Sequence, residues 1–91
     1  MTLTVCYQGQ IRELVGTENQ QRSYDEPITL DRLIADLTAD LGTDFAEMVL
    51  ENGKIKSFIL VLVNGDAVDK STPSPLNDGD EVTFLPPLAG G

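Results

Sequence analysis

Ninety-one residues, 41% hydrophobic and 23% charged, are enough for one domain with one small core. Fifteen Asp and Glu against six Lys and Arg leave a net charge of −9. That charge argues against nucleic acid and against an anionic membrane surface as ligands, and favours a basic partner protein. With no histidine and a single cysteine, the chain offers no imidazole base, Ser-His-Asp triad, His or Cys-cluster metal site or intramolecular disulfide, so it is expected to bind neither metal nor cofactor itself.

The segment from Thr2 to Gln8 alternates, with Leu3, Val5 and Tyr7 on one side and Thr2, Thr4, Cys6 and Gln8 on the other, which predicts a strand with one face in the core. Cys6 falls on the opposite face. No histidine or second cysteine is there to activate or resolve it, so it reads as a small side chain on a half-covered sheet. Gln10 to Val15 predicts a short helical turn whose apolar face is Ile11, Leu14 and Val15, ended by Gly16. Glu18 to Tyr24 is polar and fits an edge strand.

The clearest local signal follows. Thr29 is a cap, Asp31 lies in the first turn where the helix dipole favours an anion, and Gly42 supplies a stop. Between them Leu30, Leu33, Ile34, Leu37 and Leu41 form one helical stripe, leaving Asp36, Asp40 and Asp44 as a solvated face. A second, shorter helix is expected over Phe45 to Leu50, packed by Phe45, Met48 and Val49, with a turn at Asn52-Gly53.

Phe58 to Val63 is apolar throughout and predicts a strand. Ile59, Val61 and Val63 can face the helix, which leaves Phe58, Leu60 and Leu62 on the other side. One substantial helix covers one sheet face, so these residues predict an exposed apolar patch and hence a contact surface. The run is far too short to cross a bilayer. No basic region and apolar stretch open the sequence, so a signal peptide is not expected and the cytoplasm is the expected location. Asn64-Gly65 predicts a tight hairpin turn into Ala67-Val68, and Lys70 to Pro75 reads as loop. Asn77-Asp78-Gly79-Asp80 superficially suggests a calcium loop, but it lacks the ligand spacing and closing Glu and reads as a turn before a final strand from Glu81 to Leu85. In that strand Val82 and Phe84 point inward and Leu85 outward.

The sequence finishes Pro86-Pro87-Leu88-Ala89-Gly90-Gly91. A closing Gly-Gly falls by chance in roughly one chain in two hundred at average glycine usage. The prolines cannot donate to a sheet ladder, so pairing is expected to stop and an extended, semi-rigid tail to begin. Six extended residues reach about 20 Å. Glycines without a Cβ let a partner close tightly around them. Such a tail can carry a carboxylate into a channel of another protein, where it becomes an acyl donor once a partner activates it. The expected division is therefore a domain over residues 1–85 and a flexible tail over 86–91.

This ending resembles the ubiquitin-like sulfur carriers, most of all the small subunit of molybdopterin synthase. Arg12-Glu13-Leu14-Val15-Gly16 after the first strand, Val63-Asn64-Gly65, and Leu76-Asn77-Asp78-Gly79-Asp80-Glu81-Val82 also fit that family, in the same order along the chain. The element order makes a two-layer α+β domain, one main helix packed on one face of a mixed sheet. The resemblance implies the ubiquitin-like β-grasp, with the first and last strands parallel in mid-sheet.

Cys6, Gln8, Leu60, Leu62 and Leu85 would then share an open face at the tail's root. In the resembled family that face docks the partners, and Gln8 stands where the family often has an aromatic residue. The resemblance further implies that an E1-like adenylating enzyme activates Gly91 with ATP, that a sulfur donor protein converts it to a thiocarboxylate, and that the large subunit of molybdopterin synthase receives the sulfur; whether as a heterotetramer the sequence leaves open. Leu85, Pro86, Pro87, Leu88, Ala89 and Gly90 would line the partner contact beside Gln8, Leu60 and Leu62. Three alternatives stay open: a carrier for thiamine thiazole, cysteine or tRNA thiolation; a protein modifier conjugated through Gly91; and a plain binding module with incidental glycines.

Overall fold

The computed structural model describes residues 1–69 and 75–86. Strand β1 (Thr2–Tyr7) leads into α1 (Gly9–Val15) and returns as β2 (Asn19–Ser23). The main helix α2 (Leu30–Leu41) is followed by α3 (Thr43–Val49) and a hairpin of two-residue strands, β3 (Leu50–Glu51) and β4 (Lys54–Ile55). The chain then forms β5 (Leu60–Val63), β6 (Asp66–Ala67) and β7 (Glu81–Leu85).

Five strands make one mixed sheet in the order β2-β1-β7-β5-β6. The first and last strands are parallel and adjacent, with Cys6 opposite Thr83 and Tyr7 opposite Phe84. The polar strand β2 lies at the edge, as expected. Alternation along β1, β5 and β7 sends Leu3, Val5, Tyr7, Val61, Val82 and Phe84 into the core. They meet Leu30, Leu33, Ile34 and Leu37 of α2 and Phe45 and Val49 of α3, all buried. Tyr7 and Phe84 stack with centroids 6.3 Å apart, and Phe45 meets Phe84 edge-on at the same distance. The Tyr7 hydroxyl donates to Gln20 Oε1 at 2.9 Å, so its burial strands no polar group.

The expected caps form: Thr29 Oγ1 accepts from the Arg32 N–H at 3.4 Å, and Gly16 closes α1 at φ +89°. Asn64 and Gly65 both have positive φ, 52° and 87°, which suits the tight hairpin between β5 and β6. The turn before β7 ties three elements together. Asp80, nearly buried, accepts from Asn64 Nδ2 at 2.9 Å and from the Asn77 N–H at 2.8 Å, while Asp78 Oδ1 accepts from the Thr2 N–H at 2.8 Å.

Four details differ from expectation. Leu14 is exposed, because α1 is only seven residues long and meets the core through Ile11. The acidic face of α2 is partly engaged: Asp36 Oδ2 accepts from the Tyr24 hydroxyl at 3.0 Å and Asp40 pairs with Arg22 at 2.6 Å. The strand expected from Phe58 begins at Leu60, because its partner β7 ends at Leu85, opposite Leu60, and Pro86 has no N–H to extend the ladder. The β3–β4 hairpin around Asn52-Gly53 was not anticipated, since two-residue strands carry no periodicity. Of the loop expected at Lys70 to Pro75, residues 70–74 lie outside the described residues, and Pro75 bridges to Thr29. Among the described residues no helix is long and apolar enough to cross a membrane.

Candidate docking face and tail root

The face of the sheet turned away from α2 is built by the alternate residues of the three central strands. Across it run two rows set by the register. Cys6, Thr83 and Leu62 form one, and Leu85 and Leu60 form the next, towards the end of β7. Gln8 lies one residue beyond the Tyr7–Phe84 pair and is exposed, its N–H donating to the Phe84 carbonyl at 3.2 Å. Leu60 is 44% exposed, and Leu62 and Leu85 are half-buried. The structure therefore brings Gln8, Leu60, Leu62 and Leu85 to one face. Pro87, Leu88, Ala89, Gly90 and Gly91 lie outside the described residues.

Cys6 sits in the middle of this face, half-buried. Burial, and then the negative charge of Glu81, push its thiol pKa up. A thiol shifted that way stays protonated at neutral pH and is a poor nucleophile.

Pro86, grouped with the tail in the sequence, is half-buried and seated on the first residue of α1. Gly9 has φ +55°, and a Cβ placed there would stand 2.9 Å from Pro86 Cγ. Only glycine fits that approach without displacement, so the α1 entry and the chain exit from β7 are packed as one unit. Beside them opens a groove of about 430 Å³ walled by Leu14, Met48, Phe58 and Pro86, with Asp44 and Glu47 on its rim. Gly9 and Leu14 were not among the residues singled out from sequence for the site. The sequence signals were the position of Gly9 between a strand and a helix and that of Leu14 on an apolar helix face within the Arg12–Gly16 segment. A larger cavity of about 890 Å³ between α2 and the β3–β4 hairpin shares no residue with the open face or the tail root.

A mixed five-stranded sheet with parallel central β1 and β7, a main helix on one face and a carboxyl-terminal exit from the middle strand defines a ubiquitin-like β-grasp domain. Its fold matches the crystal structure of the small archaeal modifier protein SAMP1 from Haloferax volcanii with a TM-score of 0.81, at 20% identity over all of both chains. The ThiS family model matches residues 5–91, and the chain belongs to that family of ubiquitin-fold sulfur carriers. It is 39% identical to the molybdopterin synthase sulfur carrier subunit of Escherichia coli, covering 98% of this chain and 99% of that one. It is 31% identical to small archaeal modifier protein 3 of Haloferax volcanii over the whole of both. In the complex of subunits 1 and 2 of the molybdopterin-converting factor from Helicobacter pylori, one chain matches with a TM-score of 0.63 at 25% identity, over all of both chains. Relatives of this chain thus assemble with a second protein subunit.

Proposed function

We propose that this chain carries sulfur for dithiolene formation on molybdopterin, as the small subunit of a molybdopterin synthase. The observation that carries the reading is the Gly90-Gly91 ending on a chain so similar, along nearly its whole length, to the Escherichia coli carrier. Residues 1–85, with Pro86 seated on Gly9, act as the docking body, and the residues after Pro86 are the part of the tail that enters the partner. An adenylating enzyme transfers AMP from ATP to the Gly91 carboxylate and releases pyrophosphate. Sulfur at the sulfide level, supplied by a donor protein, then displaces AMP and leaves a thiocarboxylate. Sulfur is the better nucleophile, and the large synthase subunit holds the pterin precursor that it attacks. This histidine-free chain supplies the tail, and the partners supply the acid–base groups. ATP is used by the activating partner.

The test is the intact mass of the chain, with Gly91 as its terminal residue, after incubation with its host's adenylating enzyme, ATP and sulfide. A gain equal to sulfur minus oxygen, absent when Gly91 is deleted, is expected; turnover of the pterin precursor by the loaded chain with the large subunit then fixes the acceptor. No gain, with an enzyme competent on its own carrier, refutes the reading. The second reading is a protein modifier, favoured by the full-length similarity to small archaeal modifier protein 3; it predicts lysine adducts of the chain in lysate in place of pterin turnover.

A further inference from the structure

We propose that the groove beside the tail root is a second docking surface, which takes an apolar side chain flanked by Arg or Lys from the protein that encloses the tail. The inference rests on the carrier reading, because it is that reading which requires an enclosing partner. The large hydrophobic side chains left exposed among the described residues are Leu14 at 36%, Phe58 at 55% and Leu60 at 44%. All three are at this end of the molecule. Leu60 is paired with Leu85, the residue before Pro86, and Leu14 and Phe58 wall the groove with Pro86 itself. Exposed apolar surface gathered around one point marks a contact rather than incidental exposure.

Position and charge select the occupant. Pro86 is both a wall of the groove and the residue from which the tail departs. Five extended residues span about 17 Å, so a protein that holds Gly91 has its surface within about that distance of Phe58. The charged side chains lining the groove are Asp44, Glu47 and Lys56; the Lys56 ammonium is turned onto the Glu47 carbonyl, the two carboxylates leave the rim acidic, and the chain carries −9 overall. A second copy of the chain, with the same acidic rim, is opposed by like charge; a partner with basic residues around its anchor is attracted. Lys56 Nζ donates to the Glu47 carbonyl at 2.6 Å and lies 5.7 Å from the centroid of the Phe58 ring, so one wall carries a cation beside its aromatic face.

The test is calorimetric titration of the full chain with the large synthase subunit of the same host, at two salt concentrations. Phe58→Ser and Leu14→Ser are each expected to weaken binding by about tenfold or more, since anchors of an interface carry most of its energy. Phe58→Ser should leave the melting temperature near that of the native chain, because the ring is mostly in water, whereas Leu14→Ser, on a side chain more covered than exposed, should lower it by a few degrees and is read against that shift. The pair Asp44→Lys and Glu47→Lys should weaken binding most at low salt and flatten its salt dependence. It is the arm that decides if a serine variant fails to fold. Binding by both serine variants within about twofold of the native chain, while deletion of Gly91 still abolishes sulfur loading, overturns the groove and leaves the carrier reading intact. A native chain that neither loads sulfur nor binds the subunit overturns both.

Discussion

Replacing Gly9 with alanine tests whether the body of the domain aims the tail. Two costs arise at that position. The residue has φ +55°, where a side chain is strained, and the new Cβ would stand 2.9 Å from Pro86 Cγ, well inside the ordinary contact distance of about 3.5 Å or more. The backbone term is about 1–2 kcal/mol and overpacking adds about 1–3 kcal/mol, so the substitution should cost roughly 2–5 kcal/mol. Gly16 supplies the control. Its φ is +89° but nothing lies within 4 Å of a Cβ placed there, so Gly16→Ala carries the backbone term alone.

Urea unfolding of both variants, of Pro86→Ala and of the Gly9/Pro86 double variant separates the contributions. The Gly9 variant should be the less stable of the two alanine variants, and Pro86→Ala should recover most of the difference. For a domain of this size each kcal/mol moves the melting temperature by about 4–8 °C, so the contrast is readily measured. Equal costs at Gly9 and Gly16, with no coupling between Gly9 and Pro86, would show that the chain exit is not packed on α1 and would remove the case for a directed tail.

Leu60→Glu on the open face should change stability by less than about 0.5 kcal/mol, because Leu60 already meets solvent, yet weaken binding of the large subunit by tenfold or more, about 1.4 kcal/mol; an unchanged dissociation constant removes the docking face. Asp80→Ala leaves Asn64 Nδ2 and the Asn77 N–H without their acceptor and should cost about 1–3 kcal/mol in denaturant unfolding. Asp80→Asn should fail to rescue fully, since an amide can present only one acceptor oxygen to those two donors. Burial pushes the pKa of Tyr7 from 10.0 up to about 12, so the unfolded chain releases this proton first. The stabilisation is complete below the unfolded value and is lost as pH rises from about 10 to about 12. Tyr7→Phe should flatten that part of the stability profile, leaving the smaller loss from Cys6 and Tyr24, whose values are also raised by burial.

Much of the fold is legible because its strong elements announce themselves locally. The stripe from Leu30 to Leu41 has the helical period and a capping threonine, and every leucine in it is at least partly buried. The alternation of Leu3, Val5 and Tyr7 identifies the covered face of β1 without any knowledge of its neighbours. Periodicity fails where an element is too short to average over its surroundings. Leu14 has the spacing of a core residue relative to Ile11, but on a seven-residue helix only one of the two reaches the core. The start of β5, at Leu60, likewise depends on where β7 ends, at Leu85, and on a proline that ends the pairing.

The open face was legible for a different reason: β5 is apolar on both sides, and one helix can cover only one of them. The groove was not legible, because its walls come from α1, α3, the turn before β5 and the residue after β7, and no stretch of sequence carries their adjacency. That contrast bears on how such a carrier works. On the proposed reading, the chemistry at Gly91 would need nothing from this chain except a carboxylate presented in the right direction. On that reading direction would come from the body, where Pro86 meets Gly9, where Leu85 pairs with Leu60, and where Leu14, Phe58 and Leu60 are left exposed. Substitutions at the tail tip should therefore abolish transfer outright, whereas substitutions around Pro86 should change how well partners are engaged while leaving the terminus chemically competent.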